Sequence, residues 1–537
     1  MHDRPPRTRA AATPVHAAAA AGPVGVAAPM GRWLLLAAVY FAAVALLQAW
    51  ASPTVEMDQG EQVILSQRLQ WGYTNQPPLY TWLVWLANRL GGPGLVQLAA
   101  VKVLALTGLV AGVLGAAREL GFDAQRQRLA LATLALTPAL IWEAQRDLTH
   151  SLIAATMTAL ALWALLAAVR RARLPAYALA GVLAGGALLG KHNAVVFLLG
   201  LGLALLTLPA WRARLRPAGV LLALAGAALV VAPHAAWLQA HPEVLALTRA
   251  KVGDAGHAPA LQRLGHTLAD VCIGSLTFLT PALWLALPML WAGRRALPAG
   301  SGPSAPALTG RLLLCTLAVL VVFLLAAGAA QFKDRWLLPL LIFMPLWIAA
   351  RAPAQPAAAT RVYLVSGLLL ALVVGAVLPA RIVWPIGQAQ TRQNAPLADL
   401  AHRLAQQWSA APGPGARGGV PPVVLASGHF VGGNLKLAWP RETLVLTPAA
   451  RWPVELPAEV MLVARREDFR NPRFDAWLRQ RTGHGLADIR WDGVVQAPVL
   501  HRPQAEPMSL AWARVPVAPA AAAAVPPPDD APGEDAP

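Results

Sequence analysis

Two carboxylates and a few cations stand where they could do chemistry together: Asp58 and Asp147, with Lys191, Lys333 and Arg335. A carboxylate at the rim of an apolar stretch can accept the proton of a hydroxyl. Arginine can hold a phosphate with two parallel bonds, and lysine can offset it as a point charge. The richest stretch is Val55–Leu86, VEMDQGEQVILSQRLQWGYTNQPPLYTWLVWL. It carries Glu56, Asp58 and Glu61, then an amphipathic run, then the elbow Gln76-Pro77-Pro78-Leu79-Tyr80-Thr81-Trp82. Asp58 and Glu61 are three apart and share a face if the segment is helical. Paired prolines fix two φ angles and remove two donors, which makes the elbow rigid. A loop that only joined two membrane helices would need none of this. The stretch is expected to form the acidic floor of an active site at a membrane surface, with Asp58 as the catalytic carboxylate. The run Val63-Ile64-Leu65, with Leu69 and Trp71, suits the membrane surface itself.

Three later stretches have the same character. Trp142–His150 puts Glu143, Arg146, Asp147 and His150 in one turn, where charges are costly unless paired or wet. Asp147 is the candidate second carboxylate, and Glu143, Arg146 and His150 are candidate substrate contacts. No second histidine stands at metal spacing from His150, so no metal site is expected. Gly190-Lys191-His192-Asn193 interrupts an apolar run and offers Lys191 to a phosphate and His192 to a substrate. Gln331-Phe332-Lys333-Asp334-Arg335-Trp336 offers Lys333 and Arg335 to a phosphate.

These side chains must be positioned by membrane helices. The chain of 537 residues is 57% hydrophobic and 13% charged, with mean hydropathy +0.50, against about 25% charged for a soluble protein. A span needs about 20 apolar residues. Eleven candidates follow: 33–51, 94–117, 127–142, 148–169, 176–190, 194–210, 217–239, 270–292, 311–330, 336–350 and 362–380. The net charge of +18 does not imply nucleic acid, because no basic face alternates with aromatics. The arginines cluster in short loops instead: Arg118, Arg126 and Arg128; Arg170, Arg171 and Arg173; Arg212, Arg214 and Arg216. That bias puts the N-terminus and these loops inside. The acidic residues Glu56, Asp58, Glu61, Glu143, Asp147 and Asp334 then fall on the outer face. Cys272 and Cys315 both lie in apolar segments and suggest neither a disulfide nor a metal.

The expected organisation is a disordered cytoplasmic tail over 1–31 and a transmembrane domain over 32–385 whose first outer loop is 52–93. A soluble extracytoplasmic α/β domain over 386–516 and a disordered Ala/Pro-rich tail over 517–537 follow. In the soluble domain Leu397, Leu400, Leu404 and Trp408 have helical spacing, with Asn394 as cap. Val423–Ala426, Thr443–Leu446 and Val460–Ala464 read as strands. Asn471 and Pro472 open a second helix.

No GxxxxGK[ST] and no GxGxxG follows a strand, so ATP is not the expected energy source. A lipid-linked donor fits better. Its tail would lie among the spans, its phosphate against Lys191, Lys333 or Arg335, and its sugar toward Asp58, with Tyr80 and Trp82 as further contacts. A phosphate whose charge is offset leaves readily, so no metal is required. One displacement of this kind inverts the anomeric centre.

Residues 33–385 resemble the GT-C superfamily of polyprenyl-phosphate-sugar-dependent glycosyltransferases, in particular the bacterial branch related to protein O-mannosyltransferases and the lipid A aminoarabinose transferase (glycosyltransferase family 39/83 type). In that family an Asp followed by Glu opens the first outer loop; here Asp58 is followed by Gln59. Pro77-Pro78-Leu79-Tyr80-Thr81-Trp82 resembles the family's PPL element, with Gln76 where many members carry Lys. Asp147 is similar to the second family Asp. Leu189–Ala194 and Arg335–Pro339 resemble the later Lys and Arg elements. The resemblance implies a multi-pass inner-membrane enzyme that moves a sugar from a polyprenyl phosphate to a lipid, glycan or protein on the extracytoplasmic side, with Asp58 as catalytic residue. A flippase for lipid-linked sugars would instead bury charges in mid-span and show internal repeats. An inactive GT-C-like scaffold is the third alternative, given weight by Gln59 and Gln76.

Overall fold

The computed structural model describes residues 30–73, 76–244, 246, 260–293, 303–328, 333–353, 358–384, 391–410, 420–450 and 452–518. Helices make up its first part: α1 Met30–Ala51, α2 Met57–Leu65, α3 Leu79–Gly91, α4 Leu95–Glu119, α5 Ala124–Ala135, α6 His150–Arg171, α7 Leu174–Gly190 and α8 Ala194–Thr207. They continue with α9 Pro217–Ala240, α10 Ala260–Leu279, α11 Ala282–Gly293, α12 Ala305–Ala326, α13 Met344–Ala350 and α14 Ala358–Val383. Six of these described helices (α1, α4, α6, α9, α12 and α14) are long and apolar enough to cross a bilayer. The pair α10 and α11, bent by 86°, makes a possible seventh, and α7 and α8 are shorter apolar helices.

Eleven helical segments were expected, but they are not eleven straight crossings. Segment 127–142 is the 12-residue α5 followed by a π turn, Ala139–Glu143, which begins just after Pro138. Segment 270–292 breaks at Pro281, which has no amide hydrogen to donate. Segment 336–350 is a 3-10 turn, Asp334–Leu337, then a non-helical turn around Pro339, then the seven-residue α13.

Leu35, Leu46, Leu229, Leu368 and Leu372 point outward and exposed from α1, α9 and α14. Such apolar faces suit lipid, where helices satisfy their own backbone groups. Inside, α4 and α6 approach closely. A Cβ on Gly112 would stand 2.7 Å from the Ala159 carbonyl carbon, the small-residue contact that packs membrane helices without a hydrophobic driving force.

The second part is a mixed α/β domain. Helix α15 Leu397–Ala410 leads to β1 Val423–Ala426, α16 His429–Ala438, β2 Leu444–Leu446, β3 Glu459–Ala464, α17 Pro472–Thr482, β4 Gly493–Ala497 and β5 Met508–Pro516. The sheet order is β2-β1-β3-β5-β4. β2, β1 and β3 are parallel, while β5 runs antiparallel to β3 and β4. Leu397, Leu400, Leu404 and Trp408 are all buried against the sheet, as their spacing implies.

Asn394 does not cap α15. It ends a short 3-10 turn, where its Oδ1 accepts from the Thr391 amide and its Nδ2 donates to the Ile382 and Leu500 carbonyls. Asn471 does cap α17, accepting from the Arg473 and Phe474 amides. Of the two expected tails, 1–29 and 519–537 lie outside the described residues. Met30 and Gly31 already belong to α1, and the Val517 and Ala518 amides donate to Ala458 and Thr482.

The amphipathic stretch after Asp58 does not face a membrane. Ile64 and Leu65 are fully buried in the core of the α/β domain, together with Tyr73. Each buried aliphatic side chain of this size contributes about 1.5–3 kcal/mol, which outweighs partial insertion at an interface. Leu69 and Trp71 stay exposed. Gln67 then closes a sheet edge: its amide donates to the Val445 carbonyl at 2.7 Å and accepts from the Val445 amide at 3.1 Å. The outer strand β2 is thereby covered.

Candidate active site

Asp58 lies in the first turn of α2, where the orphan amides of a helix start favour a carboxylate. Its backbone amide donates to Asp147 Oδ1 at 2.9 Å. The Asp147 turn is fixed from two other directions. The Arg146 carbonyl accepts from Gln59 Nε2 and from Lys102 Nζ, each at 3.1 Å. Just before it the π turn widens the helix, a device that often reshapes functional sites. Glu143 pairs with Arg146 at 2.9 Å.

An open hollow of about 610 Å³ runs between these loops. Asp58, Glu143, Arg146, Asp147, Asp334 and Arg335 line its polar side, and Pro138, Leu148 and Phe278 line its apolar side. Lys191 stands at the C-terminal end of α7, and its Nζ donates to Ser151 Oγ at 2.7 Å. Asn193 Nδ2 donates to the Trp336 carbonyl at 2.8 Å, which ties the Lys191 turn to the Arg335 turn.

Burial pushes the Asp58 carboxyl above its ordinary range, while Arg335, His429, Lys191 and Lys102 pull the other way. Asp147 is pushed up to about 8, by burial first and then by the charges of Asp58 and Glu56; Lys102 and Arg146 offset part of this. Two close carboxylates cannot both ionise cheaply. Arg335, Lys191 and Lys102 favour the Asp58 charge, and that charge in turn pushes Asp147 up, so the charge falls on Asp58 and the proton on Asp147.

Other expected site residues do not line the hollow. Glu61 is on α2 but does not line the hollow, and neither do Lys333 and Gln76. Tyr80 is 1% exposed, packed beside the His150 ring at 6.1 Å, and so presents no face to a substrate. Trp82 gives its indole N–H to the Gln70 carbonyl and packs edge-on against Trp71. His150 is buried and bonded to the Gln62 amide, and Gln62 also accepts from Thr81. His192 bonds His234 at 3.2 Å, and His234 in turn bonds the Trp71 carbonyl. Tyr80, Trp82, His150 and His192 are held by these contacts inside the fold. Buried aromatic and imidazole groups find partners inside the fold before they can serve a ligand. Gln331 and Phe332 lie outside the described residues.

Three contributors were not foreseen. Lys102 sits within α4, 5% exposed; a lone lysine in an apolar span was the signal. Arg381, at the end of α14, pairs with buried Glu56 at 3.1 Å. His429 comes from the α/β domain, which gave no sequence sign of reaching the site.

The helical bundle, the carboxylate pair and the facing cations define a multi-pass membrane protein with a GT-C-type fold. Its structure aligns with ArnT from Cupriavidus metallidurans bound to undecaprenyl phosphate at TM-score 0.57 and 14% identity, covering 91% of this chain and 98% of that one. The apo form of ArnT aligns at TM-score 0.55. The family model for dolichyl-phosphate-mannose-protein mannosyltransferase matches residues 75–237. Two Rhizobium johnstonii proteins, the lipopolysaccharide core galacturonosyltransferases RgtA and RgtB, are each 28% identical to this chain. The alignments cover 77% and 75% of this chain and 81% of each relative. The chain thus has a GT-C-type fold, and the proteins it is similar to in sequence are glycosyltransferases.

Proposed function

We propose that the protein moves a sugar from a polyprenyl phosphate to an acceptor hydroxyl on the extracytoplasmic side of a bacterial inner membrane, with inversion. The observation that carries this reading is the single hollow onto which Asp58, Asp147 and Arg335 all open. The Asp58 carboxylate takes the proton of the acceptor hydroxyl as its oxygen bonds to the anomeric carbon. The bond from that carbon to the phosphate oxygen breaks, and its electron pair leaves with the polyprenyl phosphate. Arg335, which lines the hollow, meets the charge that develops there, and Lys191, on the turn tied to it through Asn193 and close enough to act on Asp58, adds a second cation. These cations supply the charge the leaving group needs, so no metal is assigned a step. Asp147, holding its proton, accepts from the Asp58 amide and keeps α2 in place.

The ArnT structure carries undecaprenyl phosphate, which supports the donor class. RgtA and RgtB are named for galacturonosyl transfer to lipopolysaccharide core, which supports galacturonic acid as the sugar and a core glycan as the acceptor.

Mass spectrometry of envelope glycolipids and glycoproteins, with and without the protein, tests this. Loss of one uronic acid from a core glycan is the expected difference, and identical profiles would refute the assignment. A reporter fused after Pro385 should signal from outside; a cytoplasmic signal reverses the topology.

A further inference from the structure

The segment that leads into Asp58 is held from both ends by residues more than 300 positions later. The Ala51 carbonyl is bonded to His501 Nε2 at 2.8 Å. Ser52 and Thr54 donate their hydroxyls to the Gln393 and Ala395 carbonyls at 2.6 and 2.7 Å. Glu56 and Gln393 share the guanidinium of Arg381.

Asn434 of α16 makes the closest match. Its Oδ1 accepts from the Val55 amide at 2.8 Å, and its Nδ2 donates to the Val55 carbonyl at 3.2 Å and to the Phe430 carbonyl at 2.8 Å. A side-chain amide thus pairs with Val55 as a neighbouring strand would. Asn434 is 4% exposed, so each of these bonds is costly to lose.

One helical turn on, α2 and α16 cross with almost no gap. A Cβ on Gly60 would stand 2.7 Å from the His429 carbonyl oxygen, and one on Gly433 would collide with the Gly60 backbone. Only glycine at both positions allows this approach. Asp58 lies two residues before the crossing, and His429 opens the helix that makes it.

We propose that the α/β domain is part of the active site: Asn434, through Val55, and the Gly60–Gly433 crossing set how far Asp58 projects into the hollow. Asn434 and Gly433 are positioning residues. The cations for the donor phosphate, Lys191 and Arg335, sit on the membrane helices and their turns, outside this clamp. The inference rests on the reading of Asp58 as the base, and it separates two kinetic quantities. Moving Asp58 lowers the rate of the chemical step and leaves donor affinity alone.

The test uses the full chain in detergent or nanodiscs with Asn434→Ala and Gly433→Ala. Each should lower kcat by up to about 100-fold, the cost of a displacement near 1 Å. The KM for the polyprenyl-phosphate sugar, and binding of polyprenyl phosphate alone, should stay within about 2-fold. An unchanged kcat overturns the proposal, and so does a kcat that falls only together with donor affinity and melting temperature. Amide exchange across α2 gives a readout independent of transfer. Faster exchange at Gly60–Ser66 in Asn434→Ala is expected, and wild-type exchange there overturns the clamp. Should Asp58→Asn retain full transfer while α2 exchange still rises in Asn434→Ala, the base assignment fails and the clamp stands.

Discussion

The two ends of the helical bundle carry the same residue types to different effect. At one end Asp147 is 8% exposed and Glu56 2% exposed, and each touches a named partner across the fold. At the other end Arg118, Glu119, Arg170 and Arg171 ring an open hollow of about 430 Å³ with Met30 and Trp163. There the Glu119 side chain, itself 5% exposed, is bridged by Arg170 and Arg171, whose side chains are 58% and 56% exposed. Charges at that end need only lie outside the bilayer, which is how loop arginines orient helices. Charges at the first end are half-buried or buried, so their protonation and geometry are set by neighbours. Charge and burial alone do not mark the active end, since Glu119 is buried too; two carboxylates held together on one hollow do.

Four measurements break or sharpen this contrast. The largest effect belongs to Asp58→Asn, which should cut transfer by about 10²–10⁴-fold, the usual worth of a general base. Protein level and melting temperature should be normal; wild-type rates would leave the carboxylate end without its function.

Next is Arg335→Leu, which should weaken donor binding by about 10- to 100-fold, from a charged hydrogen bond of about 1.5–3 kcal/mol. Arg335→Lys should restore part of it, since it keeps the charge and loses the fork. Equal donor affinity in all three proteins would move the phosphate elsewhere.

A smaller effect is read in the pH profile. Below about pH 8 Asp147 carries its proton, and above it the group ionises beside Asp58 and the departing phosphate. The rate should therefore fall above that point. Asp147→Asn keeps an oxygen for the Asp58 amide and cannot ionise, so the alkaline fall should vanish while the neutral rate changes only a few-fold. On the acid side Asp58 loses its charge as pH drops. Its raised pKa places that loss above the ordinary carboxylate value of about 4. An acid limb at 4 or an alkaline fall that survives in the variant would contradict the proton assignment.

The smallest effect is at the arginine end. Arg171→Gln should leave transfer nearly unchanged, and Arg170, which still bridges Glu119, should hold the loss of stability to about 1 kcal/mol. A loss of tenfold or more would erase the contrast.

Much of this contrast is legible in the sequence. Asp58, Asp147 and Arg335 announce themselves because charges beside apolar runs are costly and seldom accidental. The arginine clusters likewise read directly as loops. The helices of the α/β domain at Leu397 and Asn471 follow from spacing and capping. What was hidden is whatever depends on distant pairing. Tyr80, Trp82 and His150 have the chemistry of substrate contacts, yet their fate is decided by Gln70, Gln62 and the loop between α2 and α3. Strands β4 and β5, with alternating and mixed residues, were missed because antiparallel pairing supplies their order. Lys102, the one charge in the apolar segment 94–117, was absorbed into its span by averaging.

The pairing of Gln67 with the edge of β2 bears on how the chain is made. The two partners lie 378 residues apart, roughly 20–75 s of synthesis at about 5–20 residues per second. Until the final domain emerges, Ile64 and Leu65 have no cover and the helix bearing Asp58 has no anchor on that side. A ribosome that stops early therefore releases an unfinished membrane bundle with an idle carboxylate, and sugar transfer waits until the domain that covers the first loop has been made.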